Sequence, residues 1–357
     1  MVKKSDDPKT QAFEAVMGKI RKSFGDGVIL TSEDLQPKPA EALSTGLVGL
    51  DYALGIGGVA RGRVVEFFGK EGGGKSLLAF YAMAETQRHG GRVALIDLEN
   101  VFDPQWCALT TGADVTDENS WVLLQPKDGE SALQICHDLV LSNALDMIVV
   151  DSVAGLVTKA EAKGNIGDVQ IGSQARLMSQ GLRMMARDIN QSKTCVIFIN
   201  QLRTKIGIGG YGQLLETTTG GKALRFWASQ RVSVTQGKVI KQGDKVIGQE
   251  MRVKVIKNKT SVPYRTAEFT LLYCKGLDKD LDLIETGLQV DVLERAGSWL
   301  QFGDEKCQGA NGLAKKLNED PELRRTLKSQ IYTEIKKRAV VVLPEKGGKN
   351  QEKPKKK

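Results

Sequence analysis

Gly69-Lys70-Glu71-Gly72-Gly73-Gly74-Lys75-Ser76 fits the pattern G-x-x-x-x-G-K-[ST], and its flanks decide how it is read. Arg63 to Phe68 is an unbroken, mostly apolar run with two valines and two phenylalanines, which predicts a buried strand. Leu77 to Gln87 carries Leu77, Leu78, Phe80, Tyr81, Met83 and Ala84 with no Gly or Pro, which predicts a helix. Strand, glycine loop and helix together form a cradle for phosphate groups. The glycines let backbone N–H groups turn inward, and the helix start adds positive dipole. Lys75 is placed to reach the β- and γ-phosphates of a nucleoside triphosphate, and the Ser76 hydroxyl to hold Mg²⁺. The competing reading is a glycine-rich turn before a helix.

Outward from this loop the chain alternates strands and helices. The strand Arg92–Asp97, the helix Ser131–Leu145, the strand Met147–Asp151, the helix Gly172–Asn190 and the strand Thr194–Asn200 follow in order. Apolar runs between helices predict a mainly parallel sheet covered on both faces. From about Arg231 the segments Arg231–Thr235, Arg252–Lys257 and Ala267–Tyr273 read as strands joined by turns, an antiparallel extension. Beyond Asp280 come short helices with one strand-like stretch, Trp299–Phe302. Before the core, Phe13, Val16, Met17, Ile20 and Phe24 line one face of a helix that Pro8 opens and Gly25 closes. That stripe must bury itself on its own domain or on a neighbouring subunit.

Bulk properties narrow the class. The 357 residues are 41% hydrophobic and 26% charged, ordinary for a soluble globular chain. No apolar run approaches the length of a membrane span, and the first residues lack the apolar core of a signal peptide. Five cysteines with no C-x-x-C pair predict buried thiols in a reducing cytoplasm, not disulfides or zinc. The two histidines, His89 and His137, read as surface helix residues. Of the formal charge of +8, a large share lies in Glu345–Lys357, six lysines against two glutamates. This tail is expected to be disordered and to favour polyanions, nucleic acid most simply.

Polar residues cluster at strand ends, where ligands bind in open α/β sheets. Asp151 ends an apolar run and can hold the Mg²⁺ shell, through water. Glu99 follows the strand that ends at Asp97 and can orient or deprotonate an attacking water. Gln201 follows Asn200 and can bond a γ-phosphate. Capping and turn roles are the alternative for each. Two segments read as working loops: Thr158–Gly172, and the twenty residues Leu202–Gly221 with six glycines. The second carries Arg203, Lys205 and Tyr211, two cations and a ring suited to single-stranded nucleic acid. Between the loops, Arg176, Ser179 and Arg183 share a helix face that can follow a phosphate backbone; a solvated face is the competitor.

These residues stand in a recognisable order. Leu43-Ser44-Thr45-Gly46, Leu50-Asp51, Ala53-Leu54-Gly55, the loop Gly69–Ser76 and Asp103-Pro104 come first. Val149-Val150-Asp151-Ser152-Val153, Phe198-Ile199-Asn200-Gln201, Glu216–Gly221 and Val255-Ile256-Lys257-Asn258-Lys259 complete it. Over roughly residues 8 to 342 the chain resembles the RecA family of bacterial DNA-strand-exchange recombinases. The resemblance implies an α/β fold: a RecA-type phosphate-loop NTPase core with a central mainly parallel sheet, an N-terminal helix and a small C-terminal α/β domain. It divides the chain into an oligomerisation helix and linker (1–41), the ATPase core with two DNA-binding loops (42–279), a small domain (280–342) and a basic tail (343–357).

The resemblance also assigns roles. ATP and Mg²⁺ are the expected cofactors, bound by Gly69 to Leu77 with Asp103, Trp106 and Tyr273 near the adenine, and by Ser76 and Asp151 at the metal. Glu99 activates water, Lys75 serves the phosphates, and Gln201 reports the γ-phosphate to the adjacent loop. Lys257, Lys259 and Phe226 reach the ATP of a neighbouring subunit. Ile171, Arg176, Ser179, Arg183, Arg203, Lys205, Tyr211, Gly220, Gly221 and Lys222 contact DNA. The implied activity is DNA-stimulated ATP hydrolysis in a helical filament on single-stranded DNA that pairs with homologous double-stranded DNA. Repressor self-cleavage in the SOS response, and single-strand-binding or loader proteins, are further family-level expectations. A ring-forming helicase of the same core fold is the alternative. Several positions depart from the family pattern: Ser76 stands for the usual Thr, Trp106 for Tyr, Asn100 for His, Ile171 for Met and Lys222 for Asn. The loop has extra glycines, and the tail is basic where an acidic one is common.

Overall fold

A computed structural model describes residues 7–25, 28–29, 40–165, 172–205 and 215–339. Ile171, Tyr211 and the basic tail lie outside these residues. The described residues fall into two compact units, the second beginning at Ala40. The first contains helix α1 (Pro8–Phe24), capped by the Asp7 carboxylate and ended by Gly25. Within that unit Phe13, Val16 and Phe24 stay exposed.

The second unit runs β1 (Ala42–Leu43), α2 (Val48–Leu54), β2 (Val59–Ala60), β3 (Val64–Gly69), α3 (Lys75–Arg88), β4 (Val93–Asp97), α4 (Pro104–Thr111), β5 (Trp121–Leu124), α5 (Gly129–Leu141) and β6 (Met147–Asp151). Then come α6 (Lys159–Lys163), α7 (Ser173–Ser192), β7 (Cys195–Lys205), β8 (Leu215–Thr218), α8 (Ala223–Trp227), β9 (Gln230–Gln242), β10 (Lys245–Asn258), β11 (Thr266–Leu272) and β12 (Gly276–Leu277). It ends with α9 (Lys279–Gln289), β13 (Glu294–Ala296), β14 (Trp299–Phe302), β15 (Glu305–Gln308), α10 (Gly309–Glu319) and α11 (Pro321–Ala339).

The large sheet has the order β12-β11-β10-β9-β3-β7-β6-β4-β5, with β8 added on β7. Strands β9, β3, β7, β6, β4 and β5 are parallel, and β9 to β12 form the antiparallel extension. The strand period of two sorts residues into two cores. Val65, Phe67, Val93, Leu95, Met147, Val149, Ile197 and Ile199 face the core shared with α3. Val64, Ala94, Ile96, Ile148, Val150, Val196 and Phe198 face the other, filled by α5 and α7. Both faces are covered, so these strands read as continuous apolar runs.

A third core joins α9, α10, α11 and a three-stranded antiparallel sheet, β13-β14-β15, to Val48 of α2. Sequence reading found only β14 there, and short helices where α11 has 19 residues. The reason is visible in the residues. All three positions of β13 are exposed, and β15 buries only Cys307, so neither carries an apolar alternation. The segment Leu202–Gly221, read as one loop, is partly a hairpin. β7 continues to Lys205 and pairs with β8, Leu202 opposite Thr218. Two smaller readings also change. Cys274 is exposed, unlike the other four thiols. His137 is largely covered and its Nε2 lies 2.7 Å from Asp188 Oδ2, tying α5 to α7.

Helix α2 has Leu47 at its N-cap and no cap from its own neighbourhood. Its first amides, Val48 and Gly49, donate instead to Asp282 of α9, at 2.7 and 2.9 Å. Asp51 of the same helix accepts from Ser44, Thr45 and the Tyr332 hydroxyl of α11. Burial pushes Asp282 up to about 7 and Asp51 up to about 6, against these hydrogen bonds. Both folded values lie above the ordinary carboxylate range, so the folded chain keeps protons that the unfolded chain releases. Their contribution to stability is therefore full in acid and is lost as pH rises toward 7. Urea midpoints measured from pH 4.5 to 7.5 should show a shallower fall for Asp282→Asn than for the wild type. Equal slopes would disprove this account.

Candidate nucleotide site and adjoining loops

Strand β3 delivers the glycine loop to the carboxyl edge of the sheet. At its last residue, Gly69, a Cβ would stand 2.0 Å from the Val234 carbonyl oxygen of β9, so only glycine lets the two strands close. Gly74, at the N-cap of α3, has φ +86°, the left-handed region that glycine enters at no steric cost. The first amides of α3 have no partner within the helix, which makes its start an anion site. Lys75 is buried, and its ammonium donates to the Lys70 carbonyl at 2.7 Å. Burial lowers its pKa, while Asp151, Glu99 and Glu71 hold it up.

Ser76, at the start of α3, lies close enough to Asp151 at the end of β6 to favour its charged form. Burial raises Asp151 to about 6; Ser76 opposes this, and Glu99 and Asp97 add to it. A cation beside Ser76 would relieve that crowding, so the donor set suits a hard divalent ion. Among the described residues no cluster of three or more Asp, Glu, His or Cys forms a cage. A hydroxyl, one carboxylate and ligand phosphates match the sparse protein coordination that Mg²⁺ prefers.

Glu99 sits on a turn built by Asp97, whose carboxylate accepts from the amides of Glu99, Asn100 and Phe102 and from Gln125 Nε2. One Glu99 oxygen, Oε1, accepts from both Ser152 Oγ and Gln201 Nε2, the latter at 3.0 Å. Glu99, Asp151 and Gln201 thus meet beside the glycine loop. Tyr273 is linked to the same loop: its hydroxyl donates to Gln249 Oε1, and Gln249 Nε2 donates to the Gly72 carbonyl, each at 3.3 Å. Asp103 caps α4 by accepting from Trp106 N, and Trp106 stands partly exposed on that helix.

Gln201 also faces the second loop. Its carbonyl accepts from Thr219 N and Oγ1, so the Gly220-Gly221 pair starts from the same residue that touches Glu99. A Cβ on Gly221 would come 2.8 Å from Ala175 Cβ, which seats the pair against the first turn of α7. Arg176, Ser179 and Arg183 are exposed on α7, opposite the buried Met178, Leu182, Met185 and Ile189. Arg203 is exposed on β7, Lys205 ends that strand, and Lys222 is the N-cap of α8.

Lys257 and Lys259 are not in this site. β10 ends where β9 begins, Asn258 opposite Gln230, whereas Gly69 lies beside Val234. That is about 13 Å along the sheet from the loop. Lys257 Nζ donates to the carbonyls of Arg225 and Phe226, and Phe226 projects into solvent. Burial and the nearby Lys259 and Arg231 lower the Lys257 pKa.

Sequence reasoning missed three residues here. Asp97 was read only as a strand end, and Ser152 only as part of a block. Glu66 is fully buried in β3, paired with Arg231 of β9 and bonded by Asn200 Nδ2 of β7 at 3.0 Å. Its signal was available: one acid inside Val-Val-Glu-Phe-Phe.

A parallel sheet whose glycine loop opens onto an uncapped helix defines a phosphate-loop α/β core. The RecA N-terminal domain model matches residues 11–278, and the RecA C-terminal domain model residues 281–336. Curated proteins named Protein RecA match almost end to end. That of Clostridium acetobutylicum is 44% identical over 327 residues, 91% of this chain and 92% of the relative. That of Clostridium tetani is 44% identical with the same coverage. That of Pseudomonas putida is 43% identical over 331 residues, 92% of each chain. The chain belongs to the RecA family, and membership supports a role in DNA recombination and repair.

Gly69→Ala should cost about 1–3 kcal/mol, because the new methyl group meets backbone and not a yielding side chain. A urea midpoint equal to the wild type's would contradict the close β3–β9 approach.

Proposed function

We propose that this chain is a DNA-stimulated ATPase that forms a helical filament on single-stranded DNA and carries out homologous pairing and strand exchange. The observation that carries the reading is Gln201. Its side chain touches Glu99 beside the glycine loop, and its carbonyl holds the start of the Gly220-Gly221 pair. A residue with both contacts can couple nucleotide state to the loops.

The α3 amides and Lys75 bind the triphosphate, with Trp106 and Tyr273 flanking the base. Mg²⁺ held by Ser76 and, through water, by Asp151 would neutralise phosphate charge. Glu99 orients the attacking water and takes its proton. Gln201 and Ser152 share one oxygen of Glu99, which fixes that carboxylate's direction. Lys257, Lys259 and Phe226 lie away from their own glycine loop, and the resemblance to the RecA family makes them the residues that reach the ATP of the next subunit. The exposed stripe of α1 buries itself on that neighbour as well. Arg176, Ser179, Arg183, Arg203 and Lys222 hold the DNA backbone, with Ile171, Lys205 and Tyr211 on the same loops. The core at 42–279 thus works with a small domain at 280–342, in the cytoplasm. The described residues hold no helix long and apolar enough to cross a membrane. The basic residues 345–357 add affinity for duplex DNA.

Glu99→Gln should lower turnover by about 10²- to 10⁴-fold while ATP-dependent DNA binding persists, since only proton transfer is removed. Turnover within threefold or so of the wild type would remove Glu99 from the chemistry. Electron microscopy with single-stranded DNA and a non-hydrolysable ATP analogue should show open helical filaments. Closed rings would favour a helicase of the same core.

A further inference from the structure

Away from the glycine loop, a cleft of about 550 Å³ opens where α3, α4 and β12 meet α9, α10 and α11. Its wall holds four cations, Arg88, Lys275, Lys279 and Arg324, and one carboxylate, Asp280. Arg324 pairs with Asp280, and Arg88 with Glu85 just outside. Lys275 and Lys279 are left with no carboxylate within salt-bridge distance among the described residues. Lys275 is exposed. Lys279 is half-buried, its ammonium 4.9 Å from the centre of the Tyr81 ring. Tyr81 is itself fixed, donating to the Thr110 carbonyl and accepting from Leu277 N. Burial lowers the Lys279 pKa, with positive charge on Arg88, Lys328 and Arg324 adding to it and Glu85 opposing.

Two ammonium groups without a salt bridge, over a tyrosine held by two hydrogen bonds, suit a doubly charged anion. We propose that this cleft binds a small phosphorylated ligand carrying at least two negative charges, with Lys275 and Lys279 on its phosphate. The volume exceeds that of a phosphate group and lies in the range of small-ligand sites. Position favours a free ligand over the DNA backbone. α3 begins at the glycine loop, reaches Tyr81 of the cleft after about 9 Å and ends at Arg88 after about 20 Å. The chain there returns to the start of β4, at the sheet edge opposite the one from which β6 and β7 release their loops. Because the cleft spans the seam between core and C-terminal helices, its ligand would brace that seam.

The test is isothermal titration of the full chain with inorganic pyrophosphate, in a Lys75→Ala background that weakens binding at the glycine loop. Pyrophosphate should bind, and Lys275→Glu and Lys279→Glu should each weaken it by about tenfold or more. Binding of a single-stranded oligonucleotide should be unchanged. Lys275 is exposed, so its variant carries the test if Lys279→Glu does not fold. Absence of pyrophosphate binding, or binding indifferent to Lys275→Glu, overturns the proposal. Lost oligonucleotide affinity with intact pyrophosphate binding overturns it too, and assigns the cleft to polynucleotide. No turnover is measured, so the outcome is independent of the proposed recombinase activity.

Discussion

A carboxylate with no access to water must be matched where it stands, and Glu66 is matched from both sides of β3. Arg231 reaches it from β9 and Asn200 from β7, so one buried charge fixes the lateral placement of three strands. Arg231 also lies over the Phe68 ring, 4.7 Å from its centre. Breaking such a pair from one side leaves a buried charge uncompensated, which is far more costly than never having it. The strands so fixed carry Gly69, Gln201 and Val234, the three backbone positions around which the loop is built. Asn200 extends the tie by donating to the Thr219 carbonyl at 3.1 Å.

From that tie outward, the site is a chain of short polar links. Asp97 sets the turn that bears Glu99, Glu99 meets Ser152 and Gln201, and Gln201 meets Thr219. A movement of the Gln201 side chain therefore has a direct route to the glycine pair and to the first turn of α7. The linkage needs no long-range relay, because the participants are hydrogen-bonded neighbours.

The central fold was legible because its physics is local and repeated. Met147–Val150 and Cys195–Ile199 are apolar on both faces, Val64–Phe68 is broken only by Glu66, and the glycine loop announces the strand-to-helix turn. Elements without an apolar period were not legible. β13 is exposed throughout and β15 buries only Cys307, so neither shows an apolar alternation. Among the described residues β8 pairs with β7 alone. In the site, Lys75, Ser76, Glu99, Asp151 and Gln201 were found from motif and strand-end position, and the structure gathers them. Asp97, Ser152 and Glu66 act by holding other residues, and the partners they hold come from distant parts of the chain. No spacing rule shows that.

The cap of α2 sets a schedule on how the molecule is made. Its first two amides are satisfied by a carboxylate 234 and 233 residues further along the chain. A ribosome adding roughly 5–20 residues each second leaves them waiting about ten to fifty seconds for Asp282. Val48, which belongs to the core shared with α9 and α11, waits with them. The nascent chain can close its parallel sheet earlier, but the helix just before the glycine-loop strand is finished last. The earliest part of the second unit to leave the ribosome thus depends on some of the latest.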